Sequence, residues 1–84
     1  MQKSTMRVSV KDPSDPSFIA KLVQIAGEFS SKIYFDLDDK CINAKSFLGM
    51  MNLRLEEGMD ISAFADGNDE AKALESIERF LGGE

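Results

Sequence analysis

The chain contains no histidine. That absence removes the one side chain whose ordinary titration falls near neutral pH, the usual general base and phosphoryl acceptor there. Acid–base chemistry would have to rest on carboxylates, lysine, the single tyrosine or the single cysteine. One cysteine, Cys41, allows no intrachain disulfide, which fits a reducing compartment. A lone thiol without histidine is also a poor zinc-binding set, and no metal or cofactor is expected. Long apolar runs are missing too. The stretch from Phe47 to Met51, interrupted by Gly49, is far too short to span a bilayer. No apolar run follows Met1-Gln2-Lys3-Ser4-Thr5-Met6-Arg7, so no signal peptide is expected, and the expected location is cytoplasmic without membrane insertion.

What is present describes a small globular protein. The 84 residues are expected to form a single domain, of which hydrophobic residues make up 43% and charged residues 30%. A chain of this size buries only about 60% of its unfolded surface, so its stability margin is thin. The net charge of −5 repels phosphate backbones and argues against nucleic acid as a direct partner.

Periodicity predicts seven elements. Met6, Val8 and Val10 alternate with polar residues and predict a first strand. Asp12-Pro13-Ser14-Asp15-Pro16 is a break. Asp15 stands where an N-cap belongs and Pro16 at the first helical position, where a missing N–H costs nothing. Ile19, Leu22, Val23, Ala26 and Phe29 carry the apolar stripe of a helix over residues 16–29. Ile33, Phe35 and Leu37 predict a second strand, Asp38-Asp39 a tight turn, and Lys40 to Asn43 a third strand closing a hairpin. Ser46 precedes a short helix over residues 47–52, with Ser46 as its N-cap. Met59, Ile61, Ala63 and Ala65 predict a fourth strand. Asp66-Gly67-Asn68 is expected to break it and cap a last helix with Ala73, Leu74, Ile77 and Leu81 on its buried stripe. Gly82-Gly83 ends that helix. The order βαββαβα predicts an α+β open-faced sandwich: a four-stranded antiparallel sheet covered on one face by helices. Periodicity alone does not choose among such sandwiches and names no function.

Two segments reach further. Ile42-Asn43-Ala44-Lys45-Ser46-Phe47-Leu48-Gly49-Met50-Met51 resembles the regulatory-serine motif of HPr, the phosphocarrier protein of the bacterial sugar phosphotransferase system. Ala65-Asp66-Gly67-Asn68-Asp69-Glu70, followed by Ala73-Leu74, is similar to the end of the fourth strand and the start of the last helix in that family. Leu22-Val23-Gln24 and Ala26 match as well. The resemblance covers nearly the whole chain without gaps, and implies the HPr-like form of the open-faced sandwich.

The loop before the first long helix departs from the family. A Gly-x-His-Ala-Arg-Pro loop is expected there. The matching stretch is Pro13-Ser14-Asp15-Pro16-Ser17-Phe18, with Asp15 in place of the phospho-accepting histidine and Ser17 in place of the arginine. The chain therefore resembles the histidine-less, catabolite-repression HPr-like proteins that keep only the serine switch. A neutral imidazole at a helix N-terminus gains a favourable site for phosphate; an ionised carboxylate already fills it with negative charge.

The resemblance implies a regulatory module rather than an enzyme, phosphorylated at Ser46 by an HPr-type serine kinase. Its partners would be proteins: a transcriptional regulator, or enzymes of the phosphotransferase system or metabolism. Phe47, Leu48 and Met51, with Phe18, Ala20 and Gln24 on the first long helix, would form the docking surface. Plainer readings stand beside these. Asp15 and Ser46 are each explained by capping a helix, and Leu48 or Met51 by plugging the core. Two other functions remain open: a phosphocarrier that forms an acyl phosphate on Asp15, and a small-ligand or protein-binding domain without phosphorylation.

Overall fold

The computed structural model describes residues 1–37 and 39–83. The elements run β1 (Gln2–Arg7), α1 (Pro16–Gly27), β2 (Lys32–Leu37), β3 (Lys40–Asn43), α2 (Phe47–Met51), β4 (Asp60–Asp66) and α3 (Glu70–Leu81). The strands form one sheet in the order β1-β4-β2-β3, and every pairing is antiparallel. The β2–β3 hairpin is present, although Asp38 of its expected turn lies outside the described residues.

Alternation sorts the two faces of the sheet. Ile33 and Phe35 of β2 and Ile61, Ala63 and Ala65 of β4 are buried on the helix side. Register places Lys3, Phe64, Tyr34 and Asn43 in one row on the opposite face, so Tyr34 lies on the wet side yet is half-buried between its neighbours. The helices close the core with Ile19, Leu22 and Ala26 of α1 and Ala73, Leu74, Ile77 and Leu81 of α3. Met50, the buried residue of α2, is fully enclosed and plugs the end of the core under that short helix.

Three expectations need correction. The first strand lies earlier than its apolar alternation suggested, running from the Gln2↔Ala65 pair to the Arg7↔Asp60 pair. Beyond Arg7 the partners change: the Val8 N–H donates to the Met59 carbonyl and the Ser9 N–H to the Leu81 carbonyl at the end of α3. The apolar alternation is real, but the chain there bridges the sheet and a helix instead of extending the ladder. The second correction concerns α3. Its N-cap is Asp69 rather than the Asp66-Gly67-Asn68 break, and the Asp69 side chain does not cap the helix. That carboxylate reaches across to the start of β2, where it accepts the backbone N–H groups of Ser30 and Ser31 at 2.9 and 3.0 Å and both their hydroxyls. Gly67 makes the approach feasible, because a Cβ there would fall 2.7 Å from the Ser31 Cα. Helix α1 also stops at Gly27, two residues short of its expected end, and Phe29 is half-buried beyond it.

Candidate functional site

The loop before α1 is set by turn chemistry. The Asp15 N–H donates to the Asp12 carbonyl at 3.0 Å, closing a turn around the buried Pro13. Asp12 takes a φ of 51°, a left-handed conformation that aspartate tolerates better than most residues. Asp15 itself is exposed, and its Oδ1 accepts the Ser17 N–H at 2.9 Å while its carbonyl accepts the Ile19 N–H at 3.0 Å. Its carboxylate is thus engaged as the N-cap of α1. Among the described residues no lysine or arginine forms an ion pair with it. Ser17 is exposed and supplies a backbone N–H where the family pattern has a guanidinium.

Phe18 takes a different direction from the one expected. It is half-buried, and its ring stacks on Phe80 of α3 with centroids 4.5 Å apart and planes 17° from parallel. The ring stabilises the α1–α3 contact behind the loop.

The second site is built on α2. Ser46 is half-buried, and its hydroxyl accepts the Gly49 N–H at 3.2 Å, capping the helix. The approach is tight from both sides: a Cβ on Gly49 would meet the Ser46 Oγ at 3.3 Å and the Ile42 Cγ2 at 3.1 Å. The turn that presents Ser46 is fixed by its neighbours. Asn43 accepts the Lys45 N–H on its side chain at 2.9 Å and the Ser46 N–H on its carbonyl at 3.0 Å. The Lys45 ammonium donates to the Phe29 carbonyl at 2.7 Å, tying this turn to the segment that follows α1.

Immediately after Ser46 the chain exposes its largest apolar side chains outside the N-terminal methionine. Phe47 is 40% exposed, Leu48 79% and Met51 36%, whereas Met50 is fully buried and Leu53 only 2% exposed. A five-residue helix has room for one inward side chain, and Met50 occupies it. Neither Leu48 nor Met51 therefore serves as the core plug. Ala20 and Gln24, one helical turn apart, are exposed on α1, which packs against α2.

A family model described as the phosphotransferase-system HPr component phosphorylation site matches residues 4–82. The chain belongs to the HPr family. Within that family it is 35% identical to the HPr-like protein Crh of Halalkalibacterium halodurans over 81 residues, which is 96% of each chain. The crystal structure of HPr-C-His from Thermoanaerobacter tengcongensis superposes with a TM-score of 0.89 at 32% identity, covering 100% of this chain and 98% of that one. A crystal structure of Crh from Bacillus subtilis, a domain-swapped intertwined dimer, matches at a TM-score of 0.72 and 33% identity over 96% of this chain and 91% of the other. The HPr fold is therefore shown, and the family comprises phosphocarrier and regulatory proteins. Among the described residues no helix is long and apolar enough to cross a membrane, and no cluster of metal-ligating side chains occurs.

Sequence reasoning missed three participants: Met50 as the core plug, Phe80 as the partner of Phe18, and Asp69 as the anchor of Ser30 and Ser31. The first carried a signal, since one of the apolar residues on so short a helix must face inward. The other two depend on contacts between distant segments.

Proposed function

We propose that this HPr relative is a regulatory module switched by phosphorylation of Ser46 and inactive as a histidine-type carrier. The observation that carries the reading is Asp15: at the carrier position stands a carboxylate already committed to capping α1, without a partner cation among the described residues. A phosphoryl donor there meets like charge, and an acyl phosphate would lack the cation that offsets its added charge.

In the proposed switch, the Ser46 hydroxyl attacks the γ-phosphoryl of ATP in the active site of an HPr-type serine kinase. The hydroxyl proton passes to a base on the kinase and ADP leaves. The new dianion stands next to Phe47 and Leu48, so one modification changes the charge of a surface whose apolar contacts stay unaltered. Docking through Phe47, Leu48 and Met51, with Ala20 and Gln24 on α1, would then depend on the phosphate. Fitting partners are a transcriptional regulator or enzymes of the phosphotransferase system and metabolism. Residues 1–84 act as one HPr-like domain in the cytoplasm, by being modified and bound rather than by catalysing a reaction.

Phosphorus NMR after incubation with ATP and an HPr kinase tests this directly. The expected result is one phosphomonoester resonance, absent from Ser46→Ala. No resonance from the wild-type chain, with an authentic HPr phosphorylated in parallel, would remove the proposal.

A further inference from the structure

Adjoining the α2 site, the chain has a groove of about 540 Å³ between β3 and the segment that leaves α2. Lys40, Cys41, Ile42, Gly49, Asn52 and Arg54 line it. In a chain with 15 acidic and 10 basic residues, this lining contains two cations and no carboxylate. A second hollow of about 350 Å³ shares Lys40, Asn52 and Arg54, and there Glu56 is the acidic neighbour. The two hollows therefore meet at the same pair of cations.

Arg54 adds an independent observation. Its φ is 48°, in the left-handed region that glycine adopts freely and an arginine adopts at a cost. Strained residues of this kind persist where the surrounding structure holds them in place, and they concentrate at active sites and ligand clamps. Here that side chain is a five-donor planar fork suited to phosphate oxygens. Among the described residues neither Lys40 nor Arg54 takes part in an ion pair. The Asn52 amide is held in place by donating to the Leu48 carbonyl at 3.3 Å.

We propose that this groove binds a small multiply phosphorylated anion between Lys40 and Arg54. The site lies apart from the Asp15 loop. It touches α2 through Gly49 and Asn52, so occupancy would be felt by the helix that carries Ser46. The proposal does not depend on Ser46 being phosphorylated, and it is tested on the unmodified protein.

Inorganic pyrophosphate is the probe, titrated into isotope-labelled protein at constant ionic strength and followed by amide NMR. The expected result is saturable shifts centred on residues 40–42, 49 and 52–54. Arg54→Gly is the informative variant, because glycine adopts a positive φ without strain, so the fold is kept while the fork is lost. Arg54→Gly and Lys40→Gln are each expected to weaken binding by about tenfold or more, the loss of one charge-assisted hydrogen-bonding partner. Shifts that do not saturate by about 10 mM, a concentration beyond any useful affinity, would overturn the proposal. So would binding unchanged in both variants, or shifts centred on residues 13–18.

Discussion

Both the hydroxyl and the backbone N–H of Ser31 donate to one oxygen, Oδ1, of Asp69. The other oxygen, Oδ2, takes the N–H and hydroxyl of Ser30. One carboxylate thus joins the start of α3 to the start of β2. The Ser31 hydroxyl, with help from the Ser30 N–H, lowers the Asp69 pKa from 3.8 to about 2.

The pH dependence follows from that direction. A carboxyl with a folded pKa below its unfolded value contributes stability above the unfolded pKa. It loses that contribution as pH falls through the folded one. Asp69 should therefore support the fold fully above about pH 4 and cease to do so as pH falls toward about 2. Thermal melts between these limits should show a fall in Tm that is much shallower in Asp69→Asn, which starts from a lower Tm at neutral pH. Equal acid slopes in the two proteins would contradict the link.

Ser46 caps α2 through its hydroxyl, and an aspartate caps as well. Ser46→Asp should keep the fold and change unfolding stability by less than about 2 kcal/mol, while Ser46→Ala should cost about 1 kcal/mol. Urea denaturation followed by circular dichroism measures both. A loss greater than that in Ser46→Asp would show that the hydroxyl does more than cap.

Gly49 is confined by Ile42 and by the Ser46 hydroxyl itself. Gly49→Ala gains helix propensity of up to about 1 kcal/mol, offset by crowding of those neighbours. Its stability should stay within about 1 kcal/mol of the parent. Phosphorylation of Ser46 should nevertheless slow, because the added methyl contacts the acceptor oxygen. Kinase initial rates on the two proteins provide the check, and equal rates would contradict the crowding.

Phe18 stacks on Phe80, so its truncation should be felt as stability. Phe18→Ala is expected to lose about 2 kcal/mol, less than a fully buried phenylalanine would. Phosphorylation at Ser46 by the kinase should be unchanged. A stability-neutral Phe18→Ala would show that the stack contributes nothing.

These relationships also show what a linear sequence can carry. Periodicity found the stripe of Ile19, Leu22 and Ala26, the β2–β3 hairpin and the cap at Ser46, because each is a local matter of spacing and hydrogen-bond supply. It placed β1 too late, because Gln2 to Thr5 form an edge strand whose polar residues show no apolar alternation. The Asp69–Ser31 link spans thirty-eight residues and leaves no local mark. Asp69 stands beside the start of α3, where a carboxylate suits the helix dipole without any distant partner, and Ser30 and Ser31 reach it only when β2 and α3 are brought together. The stacking of Phe18 on Phe80 was hidden for the same reason. The apolar character of α2 was legible, but which residue turns inward was decided by the core beneath Met50.

The central claim, a serine switch on a carrier fold whose transfer site is inactive, is tested most directly by intact mass after two separate incubations. One contains ATP and an HPr kinase; the other contains phosphoenolpyruvate and Enzyme I. The account predicts a single added phosphate in the first, lost in Ser46→Ala, and none in the second. A phosphate gained in the second and lost in Asp15→Ala would contradict it and restore a carrier role to the loop.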